Sequence, residues 1–568
     1  MNTLPFSWPR QGVRLAAVAL CALALAACDK PANDGGGQAA KKADGPAEFV
    51  AGSQTKMFTF ALSADPQTLD PAKMSGSPEG RIAFNIFEGL LMPGPTSEGL
   101  SDPKDLVVPG VAESFEVSED GKVYTFKLRS NAKWSNGEPL VAEDFVRSWR
   151  RVLEPGFPGD YAQILWVIAG GEAYAKGTGK WDAVGVKAPD PHTLEVTLVN
   201  PTPYFPELVA FYTFFPTPAA TIEKHGDAWT RPANIVTNGP YNLASYREQQ
   251  EIMLEASEHY WDKDNVKLKQ ARVRIITDIN AVVNAYRTGE LHWSGTGLPV
   301  AQITGLLAHP DYVKEPMLGI YYYRINVSDP KSPLADVRIR QALALAIDRD
   351  SLVDETLNGL YIKAESFVPP GMPGYENKTT TAYNVQKARQ LMSDAGFAEG
   401  KGFPRVQLLY NTDENHKLVA ESVQDMWKRN LGIDAELVNK EWKTYLQDVS
   451  AIQYEIARAG WIGDYNDPMT FLDLFVTDNG NNNTGWSDKA YDTLIAQAQA
   501  EVDTAKRTAL LQQAEAILME RGPVIPIYYY TNNILVSRFI EGFKLHNRDN
   551  HLLKYLSLPG LSEQAIKE

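Results

Sequence analysis

Val406-Gln-Leu-Leu-Tyr410, a helix from His416 to Arg429 stopped by Gly432, Ile433-Asp-Ala-Glu-Leu-Val438, a helix from Trp442 to Val449, then Tyr454-Glu-Ile-Ala457: residues 406–457 alternate strand and helix. The strands are short and nearly continuously apolar, which is the pattern of a parallel sheet covered by helices. In open sheets of this kind ligands sit beyond the carboxyl ends of the strands. Asn411, His416 and the segment that follows Ala457 all fall at such ends.

That segment is Arg458-Ala-Gly460-Trp461-Ile-Gly463-Asp464-Tyr-Asn-Asp467-Pro468. Two glycines and a proline mark it as a loop. It holds a cation, an indole and an anion close together, which suits a small zwitterion: one charge for each end and an aromatic face between. A loop held by an Arg458–Asp464 ion pair beside a core tryptophan reads the same residues in a purely structural way. The position at strand ends favours the first reading.

Outward from this region the pattern continues. Tyr321-Tyr-Tyr-Arg-Ile-Asn326 reads as a strand, Asp336–Val353 and Val385–Ala395 as helices, and Pro526-Ile-Tyr-Tyr-Tyr530 as a late strand that returns toward the start of the fold. Met57–Leu62 alternates as a first strand, residues 74–79 read as loop, and Gly80–Leu91 as a helix. Val111–Val117 and Lys122–Arg129 flank Glu119-Asp-Gly121 as a hairpin, with a second hairpin around Pro189-Asp-Pro191 and a helix, Val141–Leu153, between them. Residues 272–294 read as strand, helix, strand.

The chain has 568 residues, too many for a single core, so two or three domains are expected. Its formal charge of −15 argues against nucleic acid held on a broad basic surface. The 25 tyrosines and 12 tryptophans fit either ordinary core or a cavity with amphipathic walls. Both cysteines, Cys21 and Cys28, lie before residue 30, which leaves the remainder without a disulfide, thiol nucleophile or cysteine-based metal site.

Arg10 and Arg14 precede an apolar run from Leu15 to Ala27, the pattern of a signal peptide. Leu25-Ala-Ala-Cys28 resembles a lipobox, so lipid attachment at Cys28 is expected. Residues 28–55 then read as a flexible tether. No later apolar run approaches the length of a membrane-spanning helix.

Several segments together resemble the extracytoplasmic peptide-binding proteins of ABC importers, in the peptide/nickel-binding family and its oligopeptide-binding branch: Phe87-Glu-Gly-Leu-Leu91, Asn131-Ala-Lys-Trp-Ser-Asn-Gly137, Asn234-Ile-Val-Thr-Asn-Gly-Pro-Tyr241, Tyr321–Asn326, Asp336-Val-Arg-Ile-Arg-Gln-Ala342, Glu441-Trp-Lys443 and Ala457–Trp461. The likeness spans the whole mature chain. It implies an α/β, three-domain periplasmic binding protein whose two lobes close on a ligand. Domain I is discontinuous (56–89, 215–318 and 530–568), domain II is an insert (90–214), and domain III covers 319–529, after a signal peptide (1–27) and the tether.

The resemblance also implies roles. Asp464 matches the carboxylate that meets a peptide's α-ammonium. Arg458 and His416 match groups that meet its carboxylate. Trp442 and Trp461 match side-chain pocket walls, Asn411 and Gly460 pocket and backbone contacts. Ser77 matches a position that pairs main chain with peptide, and Tyr161 a tyrosine from the insert. A disulfide of enterobacterial relatives would fall at Gly319 and Ile462, and an acidic residue near the peptide's first positions is replaced by Ser75. Expected partners are short peptides, an importer permease with its ATPase subunits, and a membrane reached only through the lipid anchor. The protein is expected to be a monomer on the outer face of the inner membrane, as Asp29 after the lipid site resembles the mark for retention there.

No enzyme, cofactor or metal is expected. There is no Gly-x-Ser-x-Gly elbow and no His-Glu-x-x-His, and the eight histidines are scattered. Asp464 with Asp467 could serve acid–base work, but Asp467-Pro468 reads as a turn. Alternatives of the same family are receptors for a dipeptide, a murein peptide, a metal chelate or an oligosaccharide. From another class, an envelope chaperone lipoprotein would need no enclosed charge pair.

Overall fold

The computed structural model describes residues 57–96, 106–372 and 374–559; Cys28 and the segments expected to form a signal peptide and a tether lie outside the described residues. Three larger sheets organise it. The first has Phe58–Leu62, Gln270–Ile275, Glu251–Ala256 and Tyr241–Arg247 in that order, its first pair parallel and the others antiparallel. The second is the expected pair of hairpins, Ala112–Val117, Val123–Leu128, Thr193–Thr197 and Val186–Asp190, antiparallel throughout.

The third sheet runs Ile362–Lys363, Val524–Leu535, Tyr312–Ile325, Ile456–Ile462, Val406–Asn411, Ala435–Lys440. Only the last three strands are parallel; the others pair antiparallel. The expectation of a parallel sheet therefore holds where the helices Glu414–Leu431 and Trp442–Ser450 link the strands, and fails beyond them. Parallel neighbours need such crossovers, whereas Tyr312–Ile325 and Val524–Leu535 come from distant chain segments and are free to meet head to tail.

Those two strands are much longer than the apolar pattern suggests. Tyr312–Pro316 pairs with Leu535–Thr531 and Ile320–Arg324 with Tyr529–Val524; the register shifts between Pro316 and Ile320 and again between Tyr321 and Tyr322. Pro316 brings no N–H to the ladder and Gly319 no side chain, so the ladder is weakest there. The strand expected over 289–293 shrinks to Trp293, which bridges Phe60 on one side and Val536 on the other.

Helix ends follow local chemistry. Asp413 caps Glu414–Leu431 by accepting from the His416 N–H at 3.0 Å, and Gly432 closes it at φ 74°. Val419, Val423, Met426 and Trp427 form its buried stripe. The Trp427 indole donates to the Leu343 carbonyl at 3.0 Å. The helix expected from Gly80 starts at Ser77, because Pro78 is well suited to a first turn; Ser77 is thus helical and not in a loop. The helix expected over 336–353 ends at Leu345, and Ser351–Thr356 is a separate π-turn. Buried Arg349 takes the Ala344 and Ile347 carbonyls there and ties them to Pro526.

Trp427 holds the helix that carries His416. Trp427→Ala is expected to lower unfolding free energy by about 3–5 kcal/mol in urea titration; a loss under about 1 kcal/mol would contradict this packing role.

Candidate functional site

The segment read as a loop from Arg458 is a strand through Ile462, and the chain turns only at Gly463. Its partners are Tyr323 for Arg458, Tyr321 for Gly460 and Gly319 for Ile462. Arg458 therefore sits inside the strand and not beyond its end. Gly460 is a close approach and not a turn signal: a Cβ there would lie 2.5 Å from the Tyr530 hydroxyl and 2.9 Å from Arg458 Nη2. Gly319 and Ile462, the positions of the absent disulfide, face one another across the ladder.

Arg458, Gly460 and Ile462 are half-buried on one face of the strand, while Ala457, Ala459 and Trp461 are buried. Among the described residues the Arg458 guanidinium has no carboxylate partner. Its Nη2 donates to the Tyr530 hydroxyl at 2.6 Å and its Nη1 to Asn411 Oδ1 at 3.3 Å, and the group lies 5.0 Å over the Tyr321 ring. Burial disfavours the charge, but the surrounding tyrosines, Tyr530 foremost, outweigh it and raise the Arg458 pKa above its ordinary value.

Asp464 does not pair with Arg458. Among the described residues its carboxylate meets one side chain, the Tyr161 hydroxyl at 3.5 Å. Its backbone is held on both sides: the N–H donates to Thr470 Oγ1 at 3.0 Å and the carbonyl accepts from Arg548 at 2.5 Å. Burial, and then the nearby Asp473 carboxylate, push the Asp464 pKa well above the usual carboxylate range. Asp473 itself is pushed up to about 7 by burial. Tyr161 stacks on Trp461 with centroids 5.9 Å apart.

His416 opens its helix 5.5 Å from the Tyr321 ring, its Nδ1 3.4 Å from the Asn411 carbonyl. Burial and then Arg458 lower its pKa to about 4, so the imidazole is neutral at physiological pH. Trp442 stacks on Tyr445 at 5.6 Å and donates to Glu79 Oε1 at 3.4 Å. Among the described residues the other Glu79 oxygen has no hydrogen-bond partner, and burial raises the group's pKa.

These side chains surround two adjoining chambers. The first, about 180 Å³, is walled by Ser77, Tyr161, Gly460, Trp461 and Asp464, with Ser75 at its edge. The second, about 510 Å³, is walled by Asn411 and His416. Arg458, Trp442, Ser77 and Tyr530 border both, so the two chambers share a wall. All nine candidate residues line it. Sequence reading missed Arg81, Tyr530, Arg548 and Asp549, which also line it. Tyr530 had a signal in the run of late tyrosines. Arg81, ion-paired to Asp549 and 4.5 Å from the Trp293 ring centroid, had none. The space offers a cation, a carboxyl, aromatic faces and exposed main chain, with the two charges kept apart.

Among the described residues no helix is long and apolar enough to cross a membrane, and no three His, Cys, Asp or Glu are grouped to hold a metal ion.

The family described as bacterial extracellular solute-binding proteins, family 5 Middle, matches residues 107–483. The oligopeptide-binding protein OppA of Bacillus subtilis is 38% identical over 494 residues, covering 85% of this chain and 89% of that one. The periplasmic oligopeptide-binding protein OppA of Salmonella typhimurium is 39% identical over 487 residues, 84% and 88% of the two chains. Among solved structures, Haemophilus influenzae OppA in complex with RPPGFSPFR superposes with a TM-score of 0.83 at 33% identity, over 89% of this chain and 99% of that one. The Escherichia coli murein tripeptide binding protein MppA gives 0.83 at 34% identity, over 88% and 98%. The unliganded open form of MppA gives only 0.60 at the same identity, over 90% and 99%.

The depressed His416 pKa has a stability consequence. Below pH 6.5 the unfolded chain takes up this proton first, so the folded protein loses stability as pH falls from about 6.5 toward 4. In NMR titration of the unliganded protein the His416 ring is expected to protonate near pH 4; a midpoint near 6.5 would contradict the buried, Arg458-facing placement.

Proposed function

The chain belongs to the bacterial extracellular solute-binding proteins of family 5, whose members are solute receptors and not enzymes, and on that premise we propose that it captures short peptides for an ABC importer. The observation that carries this reading is a cation, Arg458, and a carboxyl, Asp464, that do not pair with each other and line the same chamber. A peptide has the two complementary ends. Its ammonium meets Asp464. Its carboxylate meets Arg458 or, beyond it, the His416 end of the larger chamber. Its main chain pairs along the exposed edge formed at Gly460 and Ser77, and its side chains lie against Trp442, Trp461 and Tyr161. A receptor for many sequences reads what all peptides share, with roomy chambers that hold water beside each side chain.

Closure of two lobes belongs to the same proposal. The three larger sheets fall within the expected domains I (56–89, 215–318, 530–568), II (90–214) and III (319–529), apart from two strands. Tyr312–Ile325 and Val524–Leu535 cross both boundaries of domain III, and their ladder breaks between Pro316 and Ile320, a natural place for a hinge. The lower TM-score against the unliganded open form of MppA supports a closed arrangement here. Delivery to a permease, attachment at Cys28 and a periplasmic location complete the reading; the Salmonella relative, named as periplasmic, supports the last.

Asp464→Asn is expected to weaken tri-alanine binding by about 3–5 kcal/mol, a hundredfold or more, since the ligand ammonium would be enclosed without its counter-charge. Acetylating the peptide's N-terminus is expected to cost wild-type protein a comparable amount. Unchanged affinity in calorimetric titration would overturn the assignment.

A further inference from the structure

Glu207 and Arg548 are the most deeply enclosed ion pair that touches the site: their side chains are 1% and 4% exposed, and Arg548 Nη1 lies 2.9 Å from Glu207 Oε2. Glu207 belongs to a short helix, Phe205–Leu208, in the insert region, and Arg548 to the C-terminal segment. Both grip the turn that presents Asp464. Arg548 Nη1 donates to the Asp464 carbonyl at 2.5 Å, and Glu207 Oε2 accepts from the Asn466 N–H at 3.0 Å. Tyr204, beside Glu207, stacks on Tyr465 with centroids 4.5 Å apart and planes within 8°. Two remote chain segments, one around Glu207 and one around Arg548, thus meet on residues 464–466.

We propose that Arg548 and Glu207 are a positioning pair, which holds the Asp464 backbone in place and thereby sets how strongly the site reads a ligand's ammonium group. The inference rests on the reading of Asp464 as the ammonium partner.

Two physical points favour positioning over plain stability. The pair is incompletely satisfied: among the described residues Arg548 Nε and Glu207 Oε1 are buried without hydrogen-bond partners. Such a pair recovers its desolvation cost poorly, and apolar residues of similar size would stabilise as well or better. The charges also act on the site. Arg548 lines the smaller chamber with Asp464, where its guanidinium favours the ionised carboxylate. Unopposed, the same guanidinium would repel an entering ammonium and turn toward Asp464 in its place. Glu207 cancels that repulsion while leaving the carbonyl anchor intact.

The test compares the double variant Glu207→Gln/Arg548→Met with wild type. Calorimetry measures affinity for tri-alanine with a free and with an acetylated N-terminus, and thermal melting verifies folding. The expected result is a folded variant whose preference for the free amine falls at least tenfold, toward parity. A wild-type preference retained in the variant would overturn the pair's role while leaving the peptide reading intact. Equal binding of both peptides by wild type would instead overturn the ammonium reading, and the pair's role with it. Should the double variant not fold, Glu207→Gln alone serves, since it keeps the acceptor for Asn466 and removes the charge that restrains Arg548. The preference is again expected to fall, and a preference left unchanged would overturn the proposal.

Discussion

The site depends on keeping two opposite charges, six residues apart in the chain, from satisfying each other. Arg458 projects from inside a strand into a nest of tyrosines, and the turn at Gly463 carries Asp464 away to Tyr161. An ion pair between them would leave nothing for a ligand to complete. Held apart, each would carry a desolvation penalty of several kcal/mol when ionised, which on the proposed reading a zwitterion supplying both counter-charges relieves. The two are tuned differently. Phenol oxygens and ring faces favour the charged form of Arg458, while burial and then Asp473 raise the Asp464 pKa, so that a nearby ammonium would favour its ionised form.

The scaffold explains how this separation is maintained. The strand Ile456–Ile462 pairs along its whole length with the long strand Tyr312–Ile325 and, at Ile456 and Ala457 only, with a parallel neighbour, so its register is fixed before it reaches the site. Helices capped by Asp413 and Glu441 start just where their neighbouring strands end, which puts His416 and Trp442 at the chamber walls with little freedom. The opposite wall comes from Ser77–Ile86 and the C-terminal segment around Asp549, held together by the Arg81–Asp549 pair. Loosening any of these would change the distance between charges before it changed the fold.

What could be read in the sequence divides along physical lines. The helix Glu414–Leu431 was legible because Asp413, Gly432 and the apolar stripe agree. The hairpin around Glu119-Asp-Gly121 was legible because turn and strand signals coincide. The strand at Arg458 was misread because Gly460 is ambiguous: the same residue marks a turn or leaves room for a neighbour, and only the position of Tyr530 decides which. The length of Tyr312–Ile325 was hidden by Pro316 and Gly319, local breakers overridden by two flanking strands. Asn411, His416 and the Arg458–Asp464 segment were legible from their place at strand ends, while the individual roles and the remaining candidates came from family resemblance; all nine line the two adjoining chambers. Arg81, Arg548 and Asp549 were invisible because their roles arise from contacts between remote segments, which no local pattern records.

The most direct measurement is a crystal structure of the protein with tri-alanine bound. Peptide capture by separated charges requires the ligand ammonium about 3 Å from Asp464, its carboxylate toward Arg458 or His416, and its main chain running past Gly460. A peptide lying in the reverse direction, or one with its ammonium in water and Asp464 still bonded only to Tyr161, would contradict it.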